Sequence, residues 1–511
     1  MLFTKPKKTT TVARAANSKY KKIKIAVTAV LSVVLVTVIV LAAVYIPLEV
    51  QQTNEREQAK TNIIRYTYCL AVDYRDTEGY LIPDTWMQGM KLGDFTYSSD
   101  RPEIATVDGD GRLRATEGAE KGSKATVTYR FDGKTACIID VRLVEADGYV
   151  TTAEELSQLN DSNGTYLQTD DIILRQNMQI SDFKGRFYGN HHFISGHDIG
   201  VAGGLFDTAR SANFYGIVLT NVKGTMQATQ DREYGALINK GYYCKIEYSS
   251  VEGNFRVQGA AGNISVGGLA GYLIGTERRT IEDINLDYVN ACTTHLTIEF
   301  EGEGSPKIGG LVGVSDDVAI CNSTVRGKIT VAANAAAVGK MYIGGFAGSL
   351  EKHYKTSAYS VPYLDSSYNL ISEMDIDIDL TGGGQAINSV YAGGIFGSVI
   401  NHSVQDVKCT GGLSVTGGAA DLFIGGVAAI AQNKMSIVMT TGSIRLYVES
   451  VEVLSSITID AMGRLEAGGL VGRGIKIDIQ ETVSTVTPEI IGDRGNIKTM
   501  VSDTVGFTDN E

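Results

Sequence analysis

The 511-residue chain has 46 Lys and Arg residues against 58 Asp and Glu residues, a formal charge of −12. Eight of the basic residues lie in the first 24 positions, so the remainder of the chain carries about −20. This acidic remainder has no basic footprint, which argues against nucleic acid and anionic polymers as partners.

The first elements in chain order form a predicted membrane anchor. Residues 25–47 are uncharged over a length sufficient to span a bilayer as a helix. Segment 1–24 is basic and has no acidic residue, so the positive-inside rule places it in the cytoplasm. A cleavable signal peptide is the alternative, but its apolar core usually has about 7–15 residues. We therefore predict a single-pass protein of the cell membrane with its bulk outside, after a stalk at 48–64.

Residues 65–145 predict one small all-β domain. Short alternating strands lie between Gly and Asp turns at 95–99, 104–108, 111–115 and 125–129. Their aromatic-Ser-Ser, Ala-x-Val-Asp and Gly-x-apolar-x-Ala patterns resemble the bacterial immunoglobulin-like domain, group 2. Tyr97 stands where that family often has Trp. The resemblance implies a small β-sandwich that acts as a spacer or adhesive module.

Eight glycine-centred phrases recur in the rest of the chain. Their starts are 31, 33, 42, 35, 49, 32 and 43 residues apart, at Gly203, Tyr234, Gly267, Gly309, Gly344, Gly393, Gly425 and Gly468. Spacing on this scale indicates a repeat architecture, in which each unit buries its apolar face against its neighbours. Gly-Gly before an apolar residue suits a corner where backbones approach closely.

Strands with two-residue alternation follow most of the glycine phrases. In the segment 325–331, Val325, Ile329 and Val331 fall on one face, and the residues between them are polar or charged. The same alternation occurs at 251–257, 374–380, 409–415 and 442–448. Such half-buried strands, stacked ~4.8 Å apart, predict a parallel β-solenoid. The uneven spacing predicts loops of variable length, notably at 350–368 and 449–456.

The repeats also resemble a known family. The phrase 309–313, Gly-Gly-Leu-Val-Gly, and the strand 320–327, Ile-Cys-Asn-Ser-Thr-Val-Arg-Gly, are similar to the GLUG repeat of bacterial surface proteins. The resemblance covers roughly residues 150–486 and implies a right-handed parallel β-helix at the cell surface, without catalytic residues of its own. We therefore predict an all-β fold with a β-helix at 146–486 and a C-terminal cap or tail at 487–511.

The six cysteines predict neither redox nor metal chemistry, since the chain lacks Cys-x-x-Cys and a histidine at zinc-ligand spacing from them. Cys69 and Cys137 lie in the first and last strands of the small domain, where a disulfide is an open possibility. Cys409 occupies the slot that Val251 and Val325 fill in their repeats, which favours a small buried apolar residue. No cofactor is predicted.

The sequence contains neither His-Glu-x-x-His nor a Gly-x-Ser-x-Gly with plausible Asp and His partners, so no catalytic residue is predicted. Two groups remain as candidate ligand-binding residues. Asp375, Asp377 and Asp379 share one exterior strand face, where they bind calcium, provide a general acid, or are simply solvated. The second group consists of tyrosines in the predicted 350–368 loop that either stack on a ligand or pack the loop: Tyr354, Tyr359, Tyr363 and Tyr368.

The predicted function is adhesion or recognition at the cell surface, because a repeat architecture presents a long surface instead of a pocket. The expected partners are the lipid bilayer, through residues 25–47, and an extracellular glycan or protein. Two alternatives stay open. One is a carbohydrate-active β-helix enzyme, a lyase or hydrolase, and the other is a structural component of an envelope assembly.

Overall fold

The computed structural model describes residues 64–71, 95–109, 111–131, 134–228, 230–258, 262–275, 287–302, 304–333, 339–353, 366–382, 387–433, 446–453, 456–475, 477–480, 485–491, 499–502 and 504–509. These residues form an all-β fold with parallel sheets and two short helices. None of the helices formed by these residues is long and apolar enough to cross a bilayer. The predicted span 25–47 lies outside the described residues, as do segments 1–24 and 48–63.

A four-stranded sheet forms the first unit, in the order β1-β6-β5-β2. Its strands are β1 Ile64–Ala71, β2 Phe95–Ser99, β5 Lys124–Phe131 and β6 Lys134–Val144, beside an antiparallel pair of β3 Ala105–Val107 and β4 Leu113–Ala115. β1 pairs with β6 in parallel, whereas the other pairs in the sheet are antiparallel. Alternate residues such as Val127, Tyr129 and Ile139 are fully buried and form a separate core.

The register between β1 and β6 rules out a disulfide between Cys69 and Cys137. Cys69 lies opposite Arg142, and Cys137 lies opposite Ile64. In a parallel pair this offset of five residues separates the two cysteines by about 16 Å along the strands, well beyond the roughly 4.4–6.8 Å between the Cα atoms of a disulfide. Cys137 is a buried free thiol.

The parallel region begins with a covered end. It contains β7 Gly148–Val150, helix α1 Ala153–Ser157, β8 Thr165–Gln168, β9 Ile172–Ile173, β10 Arg186–Tyr188, β11 Phe193–Ser195 and helix α2 Ile199–Ala202. Thr152 and Glu155 form a reciprocal capping box that satisfies backbone N–H groups at the start of α1. Leu156 of this helix is fully buried in the main core, so α1 shields apolar surface at this end.

From β8 onward, strands pair in parallel, mostly with an equivalent strand one repeat later, which defines four ladders. Ladder a continues from β7, β8 and β10 through β13 Asn213–Tyr215, β17 Lys245–Glu247, β21 Tyr288–Asn290, the starts of β25 Ala319–Ala333 and β28 Ser366–Asp379, β31 Ser403–Cys409, β34 Leu446–Val453 and β37 Ile477–Gln480. Ladder b contains β9, β11, β14 Val218–Gln227, β18 Ser250–Gln258, β22 Thr293–Gly302, the ends of β25 and β28, the starts of β32 Leu413–Gly425 and β35 Ile457–Gly468, and β38 Glu489–Ile490.

The other two ladders flank the glycine phrases. Ladder c contains β15 Arg232–Gly235, β19 Asn263–Gly267, β23 Ser305–Gly309, β26 Lys340–Gly344, β29 Ser389–Gly393, the ends of β32 and β35, and β39 Thr499–Ser502. Ladder d is a separate nine-stranded sheet of β12 Phe206–Arg210, β16 Ile238–Tyr242, β20 Ala270–Ile274, β24 Val312–Asp316, β27 Ala347–Glu351, β30 Phe396–Ile400, β33 Ala428–Gln432, β36 Val471–Ile475 and β40 Val505–Asp509. We call the chain from one glycine phrase to the next a rung.

The burial of alternate residues confirms the predicted alternation. Val325, Ile329 and Val331 are fully buried, and the same holds for the matching positions of β18, β28 and β32 in one continuous core. Residues 442–445 of the predicted strand 442–448 lie outside the described part of the chain. Cys409 is fully buried at the ladder position of Val325, as predicted, because Val325 pairs with Ser372 and Ser372 pairs with Cys409.

The glycine phrases form the corners between ladders c and d. A Cβ atom on Gly310 would lie 2.3 Å from the carbonyl oxygen of Gly345 and 2.6 Å from Cε of Met374. The second glycines of four other phrases are equally confined, each against the carbonyl of the second glycine in the next rung: Gly268, Gly345, Gly394 and Gly426. The prediction of a corner with close backbone approach is therefore confirmed.

Two predicted boundaries are corrected by the structure. The loop predicted at 449–456 is wrong over its first part, because β34 continues to Val453 as a ladder strand. The loop predicted at 350–368 is shorter at both ends, since β27 extends to Glu351 and β28 begins at Ser366. In the tail 487–511, β38, β39 and β40 extend ladders b, c and d by one more rung.

Candidate functional site

The predicted acidic row lies on the outer face of ladder b, where each of its carboxylates has a partner within the fold. Asp375 accepts a hydrogen bond from the backbone N–H of Gly412 at 2.8 Å. Asp377 forms an ion pair with Lys328 of the preceding rung at 2.5 Å. Asp379 accepts hydrogen bonds from the backbone N–H and the hydroxyl of Thr381. The predicted exterior placement is thus confirmed, and the ligand-binding role stays a prediction.

The electrostatics of this row suit a solvated strand face. The hydrogen bond that Lys328 donates to Asp377 raises the pKa of Lys328, and the hydrogen bonds that Thr381 donates lower the pKa of Asp379. A general acid in glycoside cleavage requires the opposite, a carboxyl group whose pKa is raised by its surroundings. Asp379 therefore lacks the environment that this chemistry requires.

A polar groove of about 630 Å³ lies on the same outer face, a few rungs nearer the N-terminus. Successive rungs approach closely here, because a Cβ atom on Gly253 or Gly327 would lie 2.0 Å from a carbonyl oxygen of the preceding rung. The side chains along the groove are mostly polar: Asn221, Lys223, Glu252, Asn254, His295 and Thr297. Strand pairing connects the groove to the strand that carries the acidic row. His295 of the groove pairs with Arg326, and Arg326 pairs with Glu373 of that strand.

Of the four tyrosines in the predicted group, one lies among the residues that the structure describes. Tyr354, Tyr359 and Tyr363 lie outside the described residues. Tyr368 lies on β28 in ladder a instead of in a loop, and 41% of its surface is exposed. An exposed tyrosine on a strand is available for contact with a ligand, but its predicted grouping with the other three remains a prediction.

The sequence reasoning missed a stacked aromatic row on the outer side of ladder c. Tyr342 stacks on Tyr391 at 4.5 Å between ring centroids, and Tyr391 stacks on Phe423 at 4.7 Å. Arg473 covers Phe423, 4.7 Å from its ring centroid. Each of the three aromatic residues stands two positions before the first glycine of its phrase, a signal visible in the repeats. Because neighbouring rings cover both faces of Tyr391, this row is part of the packing of the fold and not an open platform on which a ligand could stack.

The structure brings together three further groups that the sequence analysis did not connect. Asp316 ends β24, Asp317 forms the next corner in the left-handed region with φ 59°, and His353 follows β27 one rung later. The Nδ1 atom of His353 lies 2.6 Å from Oδ1 of Asp316 and 3.6 Å from Oδ2 of Asp317. We call these residues the Asp–Asp–His cluster. Asp316 and Asp317 stand 7 and 8 positions after Gly309, and His353 stands 9 positions after Gly344, a similarity of spacing that a repeat alignment offers as a signal.

The surroundings of this cluster constrain its charges. Tyr272 donates a hydrogen bond to Oδ2 of Asp316 at 3.2 Å, and the backbone N–H of His353 donates to Oδ1 of Asp317 at 2.7 Å. Burial, together with the charge of Asp316, raises the pKa of Asp317 to about 6. Burial opposes the charge on His353, but the two carboxylates outweigh it and raise the pKa of His353. The cluster can therefore hold a proton or a cation near neutral pH.

Two other histidines are core residues. His197 Nε2 lies 2.9 Å from the carbonyl oxygen of Gly203, and His402 Nε2 lies 2.9 Å from the hydroxyl of Ser367. Burial lowers the pKa of His197, and it lowers the pKa of His402 to about 3. Both rings are thus neutral parts of the packed interior and unsuited to proton transfer at neutral pH.

From β16 onward, the connections from ladder d to ladder a alternate in length. Two residues join β16 to β17, β24 to β25 and β30 to β31, as they also join β12 to β13 at the start of the stack. Between these, connections of 13 or 14 residues follow β20, β27 and β33, at 275–287, 352–365 and 433–445. We call the side of the molecule where they depart the long-connection edge. The Asp–Asp–His cluster lies on it, since Asp317 belongs to a short corner and His353 begins the long connection of the next rung.

No known family model matches this chain, and no curated protein matches it either. The similarities to GLUG repeats and to the bacterial immunoglobulin-like domain therefore rest on the motifs quoted above.

Proposed function

We propose that this chain is a bacterial surface protein whose four ladders are the faces of a right-handed parallel β-solenoid. The strand register at one-repeat intervals and the glycine corners between ladders c and d support this architecture. In this proposal residues 25–47 anchor the chain in the cell membrane, and the immunoglobulin-like unit at 65–145 holds the solenoid away from the lipid. The solenoid recognises an extracellular glycan or protein.

The observation that carries the proposal is the alternation along the long-connection edge. Successive rungs are ~4.8 Å apart, whereas two segments of polypeptide that pack face to face need about 10 Å between them. Long connections on every second rung satisfy that requirement, because their points of departure are about 10 Å apart. A stack that served only as a spacer would have no need of three such connections on one edge, and loops on one side of a repeat array are where binding usually takes place.

The three long connections differ in chemistry, which suits a composite recognition surface. The connection 275–287 contains Glu, Asp and Arg residues, 352–365 contains three tyrosines, and 433–445 has Lys and Arg without an acidic residue. Tyrosines supply large contact areas with a polar tip for sugars or proteins. Because the charges differ in sign along the edge, we expect selectivity to depend on all three connections.

Exchange of a long connection for a short one tests the proposal. Residues 352–365 are replaced by Asn-His, the two residues that join β30 to β31, in a soluble fragment spanning 65–511. Binding of this variant and of the unchanged fragment is measured on a glycan array and against extracellular proteins. We expect the exchange to remove binding while the β-type circular dichroism and a cooperative melting transition are retained.

The matched control and the enzyme alternative use the same fragment. Exchange of the groove residue Asn254→Ala, far from the long-connection edge, leaves binding intact if that edge is the recognition surface. Release of reducing sugars is measured on every ligand that binds. Turnover that Asp377→Asn abolishes, or binding that survives removal of all three long connections, contradicts recognition by this edge.

A further inference from the structure

The Asp–Asp–His cluster contains the donor atoms of a small coordination site. β24 ends at Asp316, the left-handed corner at Asp317 turns its carboxylate to the same side, and His353 arrives from the next rung. The donor atoms of the three residues all lie within 4.8 Å of one another. The ladder register explains this convergence, because Asp316 is paired with Glu351, two residues before His353.

The separations fit a shared metal ion. Ligand atoms bound at about 2.1 Å to one ion stand about 3.0 Å apart in octahedral geometry and about 3.4 Å apart in tetrahedral geometry. The Nδ1 atom of His353 is 2.6 Å from one carboxylate and 3.6 Å from the other, distances on either side of that value. Small side-chain rotations at an exposed histidine are enough to equalise them.

Both carboxylates of the cluster are largely shielded from water. The side chain of Asp316 is 19% exposed, and its buried Oδ1 atom has the ring of His353 as its close neighbour. The side chain of Asp317 is 9% exposed, so a second carboxylate is kept from water beside the first. The neighbouring carboxylate of Glu351 accepts a hydrogen bond from the hydroxyl of Ser349 and forms an ion pair with Lys307. Two adjacent, partly buried carboxylates facing one imidazole favour a cation between them.

We propose that Asp316, Asp317 and His353 bind a divalent transition-metal ion at the base of the long connection 352–365. An imidazole nitrogen with two carboxylates suits Zn²⁺ or Mn²⁺, whereas Ca²⁺ and Mg²⁺ select oxygen ligands throughout. Water completes the coordination shell. The ion links the short corner at 317–318 to His353 at the start of the next long connection. The inference goes beyond the proposed recognition function and does not depend on it.

The test measures metal content and affinity on the full-length chain. The protein is stripped with a chelator, incubated separately with Zn²⁺, Mn²⁺ or Ca²⁺, passed through gel filtration and analysed for bound metal, and affinities are measured by calorimetry. We expect one Zn²⁺ or Mn²⁺ per chain and a higher melting temperature with the ion than without it. His353→Ala and Asp317→Asn are each expected to weaken binding at least about tenfold.

Two comparisons separate a metal site from a purely structural cluster. Asp317→Asn keeps an acceptor for the N–H of His353 but removes a buried charge, so its metal-free form is expected to melt no lower than the unchanged chain. Asp375→Asn, which changes an exposed carboxylate on ladder b, is expected to bind the ion normally. The proposal is overturned if the unchanged chain retains no stoichiometric ion, if it takes Ca²⁺ alone, or if Asp375→Asn loses as much affinity as His353→Ala.

Discussion

At the scale of single residues, several polar side chains in the core have partners that the chain itself supplies. His402 is 2% exposed and lies against the hydroxyl of Ser367. Ser372 and Thr294 occupy interior positions of ladder b, and their hydroxyls donate to carbonyl oxygens of the glycine corners, Gly394 and Gly310. Such bonds offset the cost of burying a hydroxyl, so these residues belong to the packing instead of to a site.

The buried ring of His402 makes stability depend on pH. Its pKa is about 3 in the folded chain and about 6.5 in the unfolded chain, so the unfolded state binds an additional proton between these values. The free energy of unfolding therefore falls as the pH drops below about 6.5, by up to about 1.4 kcal/mol per pH unit. His402→Gln removes this proton uptake, and the loss between pH 7 and pH 5 is expected to shrink by about 2 kcal/mol.

Denaturant unfolding at pH 7, 6 and 5 measures this effect on both chains. His295→Gln is the matched control, because His295 is exposed on the outer face of ladder b and its replacement leaves no cavity. If His402→Gln and the unchanged chain lose stability in parallel on acidification, another group is responsible for the pH dependence.

At the scale of elements, the glycine corner sets how closely successive rungs stack. A Cβ atom on the second glycine of a phrase would meet the carbonyl of its counterpart in the next rung on one side and a side chain of ladder a or b on the other. For Gly310 these neighbours are the backbone of Gly345 and the flexible end of Met374. Met374 can adjust, but the carbonyl belongs to a hydrogen-bonded corner and cannot move without disturbing ladders c and d.

Gly310→Ala is therefore expected to destabilise the fold by about 1–3 kcal/mol, the usual cost of overpacking. Gly109→Ala serves as the comparison, since a Cβ atom there has no heavy atom within 4 Å. Denaturant unfolding of the two variants gives the measurement. Equal effects at the two glycines show that conformational freedom, and not close approach between rungs, explains the recurrence of the phrase.

The repeats made the elements predictable, because alternation and glycine corners are local patterns. The apolar positions of 325–331 and the buried slot of Cys409 followed from the two-residue period alone. The partners of the acidic row were not predictable in this way, since Lys328 meets Asp377 only through the register between rungs. The Asp–Asp–His cluster was missed for the same reason: its members are 36 residues apart, and only the stacking of β27 on β24 brings them together.

At the scale of the whole molecule, the rungs from Tyr234 to Gly468 have a period of two. One inward position of ladder b alternates between glycine and a bulky residue in these rungs, in the order Gly253, Leu296, Gly327, Met374 and Gly411. A Cβ atom at each of these glycines would lie 2.0 Å from a carbonyl oxygen of the preceding rung. The rungs with Leu296 and Met374 are also rungs with a long connection, so core packing and surface loops share the same alternation.

This period predicts that deletion of two rungs is tolerated better than deletion of one. Removal of 267–343 places the Gly253 rung beside the Met374 rung and keeps the alternation, whereas removal of 309–343 brings Leu296 beside Met374. In the shorter deletion two bulky residues meet where the stack provides a glycine, and the connections 275–287 and 352–365 depart ~4.8 Å apart. Because rungs contact mainly their neighbours, both deletions keep a closed stack in principle. We expect the 77-residue deletion to melt at a higher temperature than the 35-residue deletion, and the reverse order would show that the rungs are interchangeable.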